Sequence, residues 1–164
     1  MKTRVVTTNG IVSRAFTLIE LIAVMVVLAV LAGVAIPKYF DYADRAKTSA
    51  LQGALGGVRT GIANYFADST FNGDPAYPAH GDITTQGSVM QEAIPNNPYN
   101  GLNNVQSVNS AQAATRAVIN PTQYGWNYFV DNTTDPPTAV FYANSDSETT
   151  ADDNSGNPRT ANDL

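Results

Sequence analysis

Hydrophobic residues are concentrated in one long stretch near the amino terminus. Residues 16–36 contain only two polar side chains, Thr17 and Glu20. A helix of these 21 residues would be about 31 Å long, which is the thickness of the apolar core of a bilayer. The stretch has no polar face, so it does not suit a helix that packs one side against a soluble domain. The pattern therefore predicts a transmembrane helix.

A second helical pattern follows Pro37. Apolar residues there recur at steps of three and four and form one stripe on a helix: Leu51, Leu55, Val58, Ile62 and Phe66. The pattern predicts an amphipathic helix over residues 37–67 that buries this stripe. A continuous helix from Phe16 to Phe66 would be about 77 Å long, which suits a stalk better than a small domain.

Three glycines form another line on the predicted stalk. Gly53, Gly57 and Gly61 are spaced by four residues, and each glycine costs about 1 kcal/mol relative to alanine inside a helix. One explanation is the close approach of another backbone, as in helix packing through small residues. The other explanation is a helix that is simply not optimised. The sequence leaves both open.

The remaining sequence is rich in turn-forming residues and contains short β patterns. Residues 125–130 and 138–142 are aromatic and β-branched and predict two strands, joined by residues 131–137 as a hairpin. A third strand is weakly indicated within residues 104–120, and a short helix is predicted at residues 87–93. The predicted fold is α+β: a long amino-terminal helix packed on a small antiparallel sheet in a head of residues 68–143.

Charge divides the chain into two parts. Residues 1–47 carry six basic and three acidic side chains, whereas residues 48–164 carry three basic and eleven acidic ones. The overall net charge of −5 argues against a nucleic-acid-binding protein, which needs a basic surface. Lys2, Arg4 and Arg14 precede the apolar stretch and predict a cytoplasmic amino terminus with the head outside.

No candidate for catalysis stands out. The chain has no cysteine and one histidine, which excludes a disulfide, a thiol nucleophile and a pair of histidine ligands. No phosphate-binding loop and no Gly-x-Ser-x-Gly nucleophile motif is present. The sequence therefore predicts a protein that is not an enzyme.

Glu20 is the unusual residue of the apolar stretch. A carboxylate in hydrocarbon costs several kcal/mol unless it is neutralised or paired, and no Lys or Arg lies between Arg14 and Lys38. Glu20 is then protonated, or reaches water at the interface, or meets a positive group from another chain. Cleavage after Ala15 would create such a group, the α-amine of Phe16, which could pair with Glu20 of a neighbouring copy.

Residues 15–21, Ala-Phe-Thr-Leu-Ile-Glu-Leu, resemble the class III signal of prepilins and pseudopilins, which usually has Gly before Phe-Thr-Leu-Ile-Glu. The resemblance extends through the apolar stretch to Pro37 and covers about a third of the chain. It implies cleavage between Ala15 and Phe16, removal of residues 1–15 as a leader, and methylation of Phe16. It also implies that Glu20 acts in assembly. Ala15 departs from the usual Gly, and we expect processing to be slower or normal rather than absent.

The resemblance also implies a place and partners for the chain. It predicts a single-pass protein of the inner membrane that assembles into a fibre with copies of itself and other pilins or pseudopilins. The expected partners are the prepilin peptidase and N-methyltransferase and the inner-membrane assembly platform. Pro37 lacks an N–H and its ring clashes with the carbonyl of Gly33. These two residues therefore mark either a helix kink, as the resemblance implies, or the end of the membrane helix.

Short motifs in the head are similar to the major pseudopilin of type II secretion. They are Tyr77-Pro78, the segment at residues 94–99, and Trp126-Asn127-Tyr128. This similarity favours a pseudopilin that supports protein export. A type IV pilin for adhesion, motility or DNA uptake remains an alternative, as does a monomeric membrane-anchored binding domain.

The final segment, residues 144–164, is polar and acidic. Asp146, Asp152 and Asp153 provide carboxylates near the turn residue Gly156, and calcium prefers such oxygen ligands. Major pseudopilins hold a calcium ion near their carboxyl terminus, so the resemblance implies a calcium site here. The alternative is a solvated, mobile tail. No other cofactor is expected.

Overall fold

The computed structural model of the protein describes residues 16–164. The first element, helix α1 (Leu18–Phe71), contains Pro37 in its interior. The helix therefore does not end at the proline, and the stalk extends four residues beyond the predicted end at residue 67. The chain divides into two compact units, with the boundary between Phe40 and Asp41.

The first unit is the amino-terminal part of α1. Its apolar side chains are exposed along the whole segment, from Leu18 to Ile36. By length and composition, α1 is long and apolar enough to cross a membrane.

The second unit has its core on one face of α1. Leu51, Leu55, Val58 and Ile62 are buried there, which confirms the predicted stripe. The fifth member, Phe66, is half-buried and stacks on Tyr77 with ring centroids 4.3 Å apart.

The stripe packs against a three-stranded sheet of β1 (Val105–Ser107), β2 (Trp126–Asp131) and β3 (Thr138–Ala143). Strands β2 and β3 form the predicted antiparallel hairpin, in register from Trp126 opposite Ala143 to Asp131 opposite Thr138. Strand β1 lies in the predicted range but pairs with β2 in parallel. A parallel pair needs a crossover connection, and helix α3 (Ser110–Ala114) with the loop after it provides one.

The predicted helix at residues 87–93 is wrong. Gly87 has φ of +87°, a left-handed conformation that interrupts a helix. Its N–H donates a hydrogen bond to Met90 O, with the two atoms 2.7 Å apart. A short helix, α2 (His80–Thr84), occurs earlier instead. The Asp82 carboxylate accepts a hydrogen bond from Ala79 N at its start.

The acidic final segment is folded, so the mobile alternative is wrong. Strands β4 (Glu148–Asp152) and β5 (Pro158–Thr160) form an antiparallel hairpin, and a 3₁₀ turn (Ala161–Asp163) follows. Ala161 is completely buried in the main core. Leu164 also packs against this core, and Thr150 N donates to Thr48 Oγ1 of α1 at 3.0 Å. These contacts fix the segment to the head.

Among the three glycines of the stalk, only Gly61 is closely approached within the chain. A methyl group at Gly61 would lie 3.0 Å from Val89 O, whereas one at Gly53 or Gly57 would meet nothing within 4 Å. Close backbone approach therefore explains Gly61. For Gly53 and Gly57, both explanations stay predictions: the close approach of another backbone, and a helix that is not optimised.

A buried amide holds the loop between α3 and β2. Asn144, which is fully buried, donates from Nδ2 to Ile119 O at 2.7 Å and to Tyr124 O at 2.9 Å. Its Oδ1 accepts from Ile119 N at 2.9 Å and from Asn127 Nδ2 at 3.1 Å. All four hydrogen-bonding positions of this side chain are used.

Candidate functional site

The first turn of α1 is closed by a reciprocal pair of hydrogen bonds. Thr17 N and Thr17 Oγ1 both donate to Glu20 Oε2 at 2.9 Å, and Glu20 N donates to Thr17 Oγ1 at 3.3 Å. This is a capping box, in which the side chains at the N-cap and at the third helical residue satisfy each other's backbone N–H groups. The carboxylate of Glu20 is therefore held at the helix start rather than left to swing freely.

No basic side chain of residues 16–164 pairs with Glu20. The ion pair within that range joins Lys47 Nζ to Asp44 Oδ1 at 3.8 Å, far along the helix from Glu20. The capping hydrogen bonds use one oxygen, Oε2, and leave Oε1 for a further donor. The free Oε1 leaves room for pairing with an α-amine from another copy. This pairing stays a prediction.

The residues at the expected cleavage point are only partly described. Ala15 lies outside the described residues, so the structure does not test it as part of a processing site. Phe16 is 85% exposed and precedes the helix. Cleavage and methylation at this point remain predictions.

Between Glu20 and Lys38, the exposed surface of the first unit is entirely apolar. Leu18 is 74% exposed and Leu31 is 60% exposed, and residues between them are similar. Exposed apolar surface of this extent marks a membrane segment or an interaction face. A helix of this composition needs lipid or other apolar helices around it.

Gly33 and Pro37 lie one turn apart within α1. Among residues 16–164, nothing outside the local helix backbone would contact a methyl group at Gly33, so packing within this part of the chain does not require glycine there. The predicted end of the helix at Pro37 is wrong. The predicted kink remains a prediction.

The structure does not gather the three acidic residues that were predicted to bind calcium. Within residues 16–164, no group of three or more His, Asp or Glu side chains is placed to hold a metal ion. Asp153 instead accepts hydrogen bonds from the backbone N–H groups of Asn157 and Ser155, at 2.9 and 2.7 Å. These bonds lower the pKa of Asp153, so they stabilise the fold above the unfolded-state pKa and are lost as pH falls.

Calcium binding at Asp146, Asp152 and Asp153 thus stays a prediction. A site would raise the melting temperature more in calcium than in magnesium at equal ionic strength, because magnesium prefers smaller octahedral sites.

The capping role of Thr17 was missed in the sequence. The signal was present, since Thr-x-x-Glu before an apolar stretch is the pattern of a capping box. The high cost of a carboxylate in hydrocarbon concerns the charge of Glu20 and does not indicate its hydrogen bonds with Thr17.

Comparison with known proteins agrees with this description of the amino-terminal segment. Residues 12–36 match the prokaryotic N-terminal methylation motif. The fimbrial protein EcpC of Eikenella corrodens is 37% identical over 57 residues, which cover 35% of this chain and 37% of that protein. The type IV major fimbrial protein FimA of Dichelobacter nodosus is 33% identical over 89 residues, which cover 53% of this chain and 55% of that protein. No solved structure matches the chain.

The similarity spans about a third to a half of the length of these relatives. The methylation motif at residues 12–36 overlaps the start of α1. Residues 16–164 have an α+β architecture in which the later part of α1 packs on a small, mainly antiparallel sheet. Together these findings show that the chain is similar to type IV fimbrial proteins and carries a prepilin-type methylation motif at its amino-terminal end.

Proposed function

We propose that this chain is a structural subunit of a membrane-rooted helical fibre of the type IV pilus kind. The observation that carries the proposal is the exposed apolar helix with one carboxylate fixed in its first turn. Such a helix is stable in lipid and equally in a bundle of identical helices. The methylation motif at residues 12–36 lies in this segment, and the similarity to fimbrial proteins supports the same role.

The apolar segment of α1 suits both the membrane-inserted state and the assembled fibre. In the membrane, the basic residues Lys2, Arg4 and Arg14 keep the amino terminus in the cytoplasm. Cleavage before Phe16 then leaves a positive α-amine four residues from Glu20. In the fibre, the apolar side chains exchange lipid for neighbouring helices, and the free oxygen of Glu20 accepts from the amine of the next copy.

Prepilin peptidase and N-methyltransferase and an inner-membrane assembly platform are the partners that this role requires. The proposed role needs no catalysis by the chain itself. The head would face the periplasm or the cell exterior and would form the outer surface of the fibre.

A pseudopilin of type II secretion is the second candidate, and contacts in the head favour it. The motifs that resemble the major pseudopilin contact each other through hydrogen bonds. Tyr128 Oη donates to Pro78 O at 2.7 Å, and Trp126 Nε1 donates to Pro95 O at 2.9 Å. The resemblance therefore involves residues that build the core of the head and not isolated surface positions.

Deletion of the gene followed by shearing of the cells tests the proposal. A pilus subunit predicts that surface fibres disappear while protein export continues, and that fibres from the parent strain contain this chain. A pseudopilin predicts that export stops while surface fibres are unaffected. If both continue in the deletion strain and the chain of the parent strain stays entirely in the membrane fraction, it is an anchored monomer and the fibre proposal is wrong.

A further inference from the structure

The three arginines of residues 48–164 lie around two adjoining cavities, and we call these residues the arginine cluster. Arg59 and Arg116 line a cavity of about 380 Å³. Arg59 and Arg159 line a second cavity of about 240 Å³. The same part of the chain contains eleven acidic residues, yet none of them lines either cavity. All its positive charge thus faces one region of the head.

Arg59 forms the wall shared by the two cavities. Its Nε and Nη2 donate to Phe141 O at 3.1 and 3.0 Å, and its Nη1 donates to Leu164 O at 2.9 Å. These three bonds join α1 to β3 and to the end of the described chain. Arg59 therefore has a structural role and a fixed orientation.

Arg116 and Arg159 have most of their donors free. Arg116 Nη1 donates to Asn162 O at 3.2 Å. The guanidinium of Arg159 makes no hydrogen bond to residues 16–164, and both side chains are half-buried. Each guanidinium has five N–H donors, so several remain available to a ligand.

The positive charges of the cluster are not balanced within the described chain. Among residues 16–164, no carboxylate side chain lies within 4.0 Å of any of the three guanidinium groups. Burial lowers the pKa of Arg59, and the positive charges of Arg116 and Arg159 lower it further. The three groups therefore repel one another, and an anion placed between them would remove that repulsion.

The larger cavity is otherwise mainly apolar. Its walls include Ile62, Ala139, Val140 and Phe141. An arginine fork matches the two oxygens of a carboxylate. Apart from Tyr77, the walls beyond the two arginines carry no side-chain donor, so the two oxygens of a carboxylate are satisfied more readily than the three of a phosphate. The lining thus suits a carboxylate joined to an apolar group.

We propose that the arginine cluster binds a carboxylate carried on an apolar group. The carboxylate could belong to a free small molecule or to an acidic side chain beside an apolar residue in a second copy of this chain. This proposal goes beyond the fibre role, and its binding test needs no fibre.

Thermal unfolding of the full chain in detergent, followed by the fluorescence of the single tryptophan, Trp126, tests the site. Benzoate serves as the probe, with benzyl alcohol as its neutral counterpart and chloride or inorganic phosphate at equal ionic strength. We expect a saturable rise in melting temperature with benzoate, because a ligand that binds only the folded state stabilises it. The alcohol and the inorganic salts should not reproduce that rise.

Arg116→Gln should weaken the apparent benzoate affinity by about tenfold, the effect of losing one charge-assisted hydrogen bond. Arg159 lines only the smaller cavity, so Arg159→Gln should weaken the affinity less, by about twofold to threefold, through the loss of its charge. Arg45→Gln is the matched control, because Arg45 is exposed and lines neither cavity. Arg59 is not used, since its three bonds hold the fold. Arg159→Gln removes no hydrogen bond within the described chain, so this variant should fold. No saturable shift, or an unchanged shift in the Arg116→Gln and Arg159→Gln double variant, would overturn the site.

Fibre yield distinguishes the two sources of the carboxylate once binding is seen. If a second copy supplies it, the double variant should lose fibres and benzoate should inhibit assembly of the wild type. If a free molecule supplies it, fibre yield should be unchanged in both experiments. A failed benzoate experiment leaves the fibre role intact, and a failed fibre experiment leaves the site intact.

Discussion

Replacing Glu20 by leucine should reduce fibre yield at least tenfold while the amount of chain in the membrane stays at the wild-type level. Insertion should not suffer, because the change removes the costly carboxylate from hydrocarbon. Assembly should suffer, because each contact between subunits loses a charge-assisted hydrogen bond, worth about tenfold or more in association. Quantitative blotting of sheared fibres and of the membrane fraction measures the two amounts.

The capping box provides a sharper version of this experiment. Glu20→Gln retains a capping side chain but loses the charge, whereas Thr17→Ala weakens the cap and keeps the charge. We expect Glu20→Gln to fail to assemble into fibres, like the leucine variant. Thr17→Ala should assemble, although it should lose about 1 kcal/mol of helix stability. Glu92→Gln, an exposed change in the head, controls for the loss of one negative charge. Assembly of Glu20→Gln together with failure of Thr17→Ala would mean that Glu20 acts only as a cap.

Replacing Asn144 by alanine should destabilise the head by about 3–5 kcal/mol, because it leaves Ile119 N and one N–H of Asn127 without an acceptor in a buried site and removes one of the donors to the carbonyls of Ile119 and Tyr124. That is a large part of the 5–15 kcal/mol that typically holds a domain together. Asn144→Asp should be similarly harmful although its shape is preserved. A carboxylate can accept from Ile119 N but cannot donate to Ile119 O or Tyr124 O.

Urea unfolding of the full chain in detergent, followed by Trp126 fluorescence, measures this effect. Trp126 is completely buried and lies opposite Ala143, the residue before Asn144, in the sheet. Its fluorescence emission therefore reports on the folding of the head. Asn103→Ala is the matched control, since Asn103 is exposed, and we expect a change within about 0.5 kcal/mol. Equal midpoints for Asn144→Ala and Asn103→Ala would show that the buried amide does not hold the loop.

The helical part of the fold was predictable because its signals are local and repeated. The apolar stretch at residues 16–36 is almost uniformly apolar, and the stripe from Leu51 to Ile62 follows the helical period. The structure confirms both as parts of one helix, α1. The hairpin of β2 and β3 was also predictable, since aromatic and β-branched residues flank a turn-rich segment.

Features that depend on distant partners were not predictable in this way. The parallel direction of β1 follows from the crossover through α3. Asn144 looks like any loop asparagine in the sequence, and only the fold brings Ile119 and Tyr124 to its amide. The folded state of the acidic tail depends on a few scattered contacts with the head, such as the buried side chain of Ala161 and the hydrogen bond from Thr150 N to Thr48 Oγ1, among many polar residues.

The candidate site was predictable to a greater extent than the head. The motif at residues 15–21 is continuous in sequence, so Phe16 and Glu20 could be selected without a structure. The calcium prediction relied instead on three carboxylates meeting in space. The arginine cluster was not found from sequence, because its members are 57 and 43 positions apart in the chain and carry no local pattern.

Mass spectrometry of the amino terminus of the mature protein tests the central claim most directly. Fibre assembly through the first turn of α1 requires that the leader is removed and that an α-amine is created near Glu20. We predict that the protein isolated from its native cells lacks residues 1–15 and begins with a methylated Phe16. A mature protein that retains Met1, or one that begins after Pro37, would contradict the account.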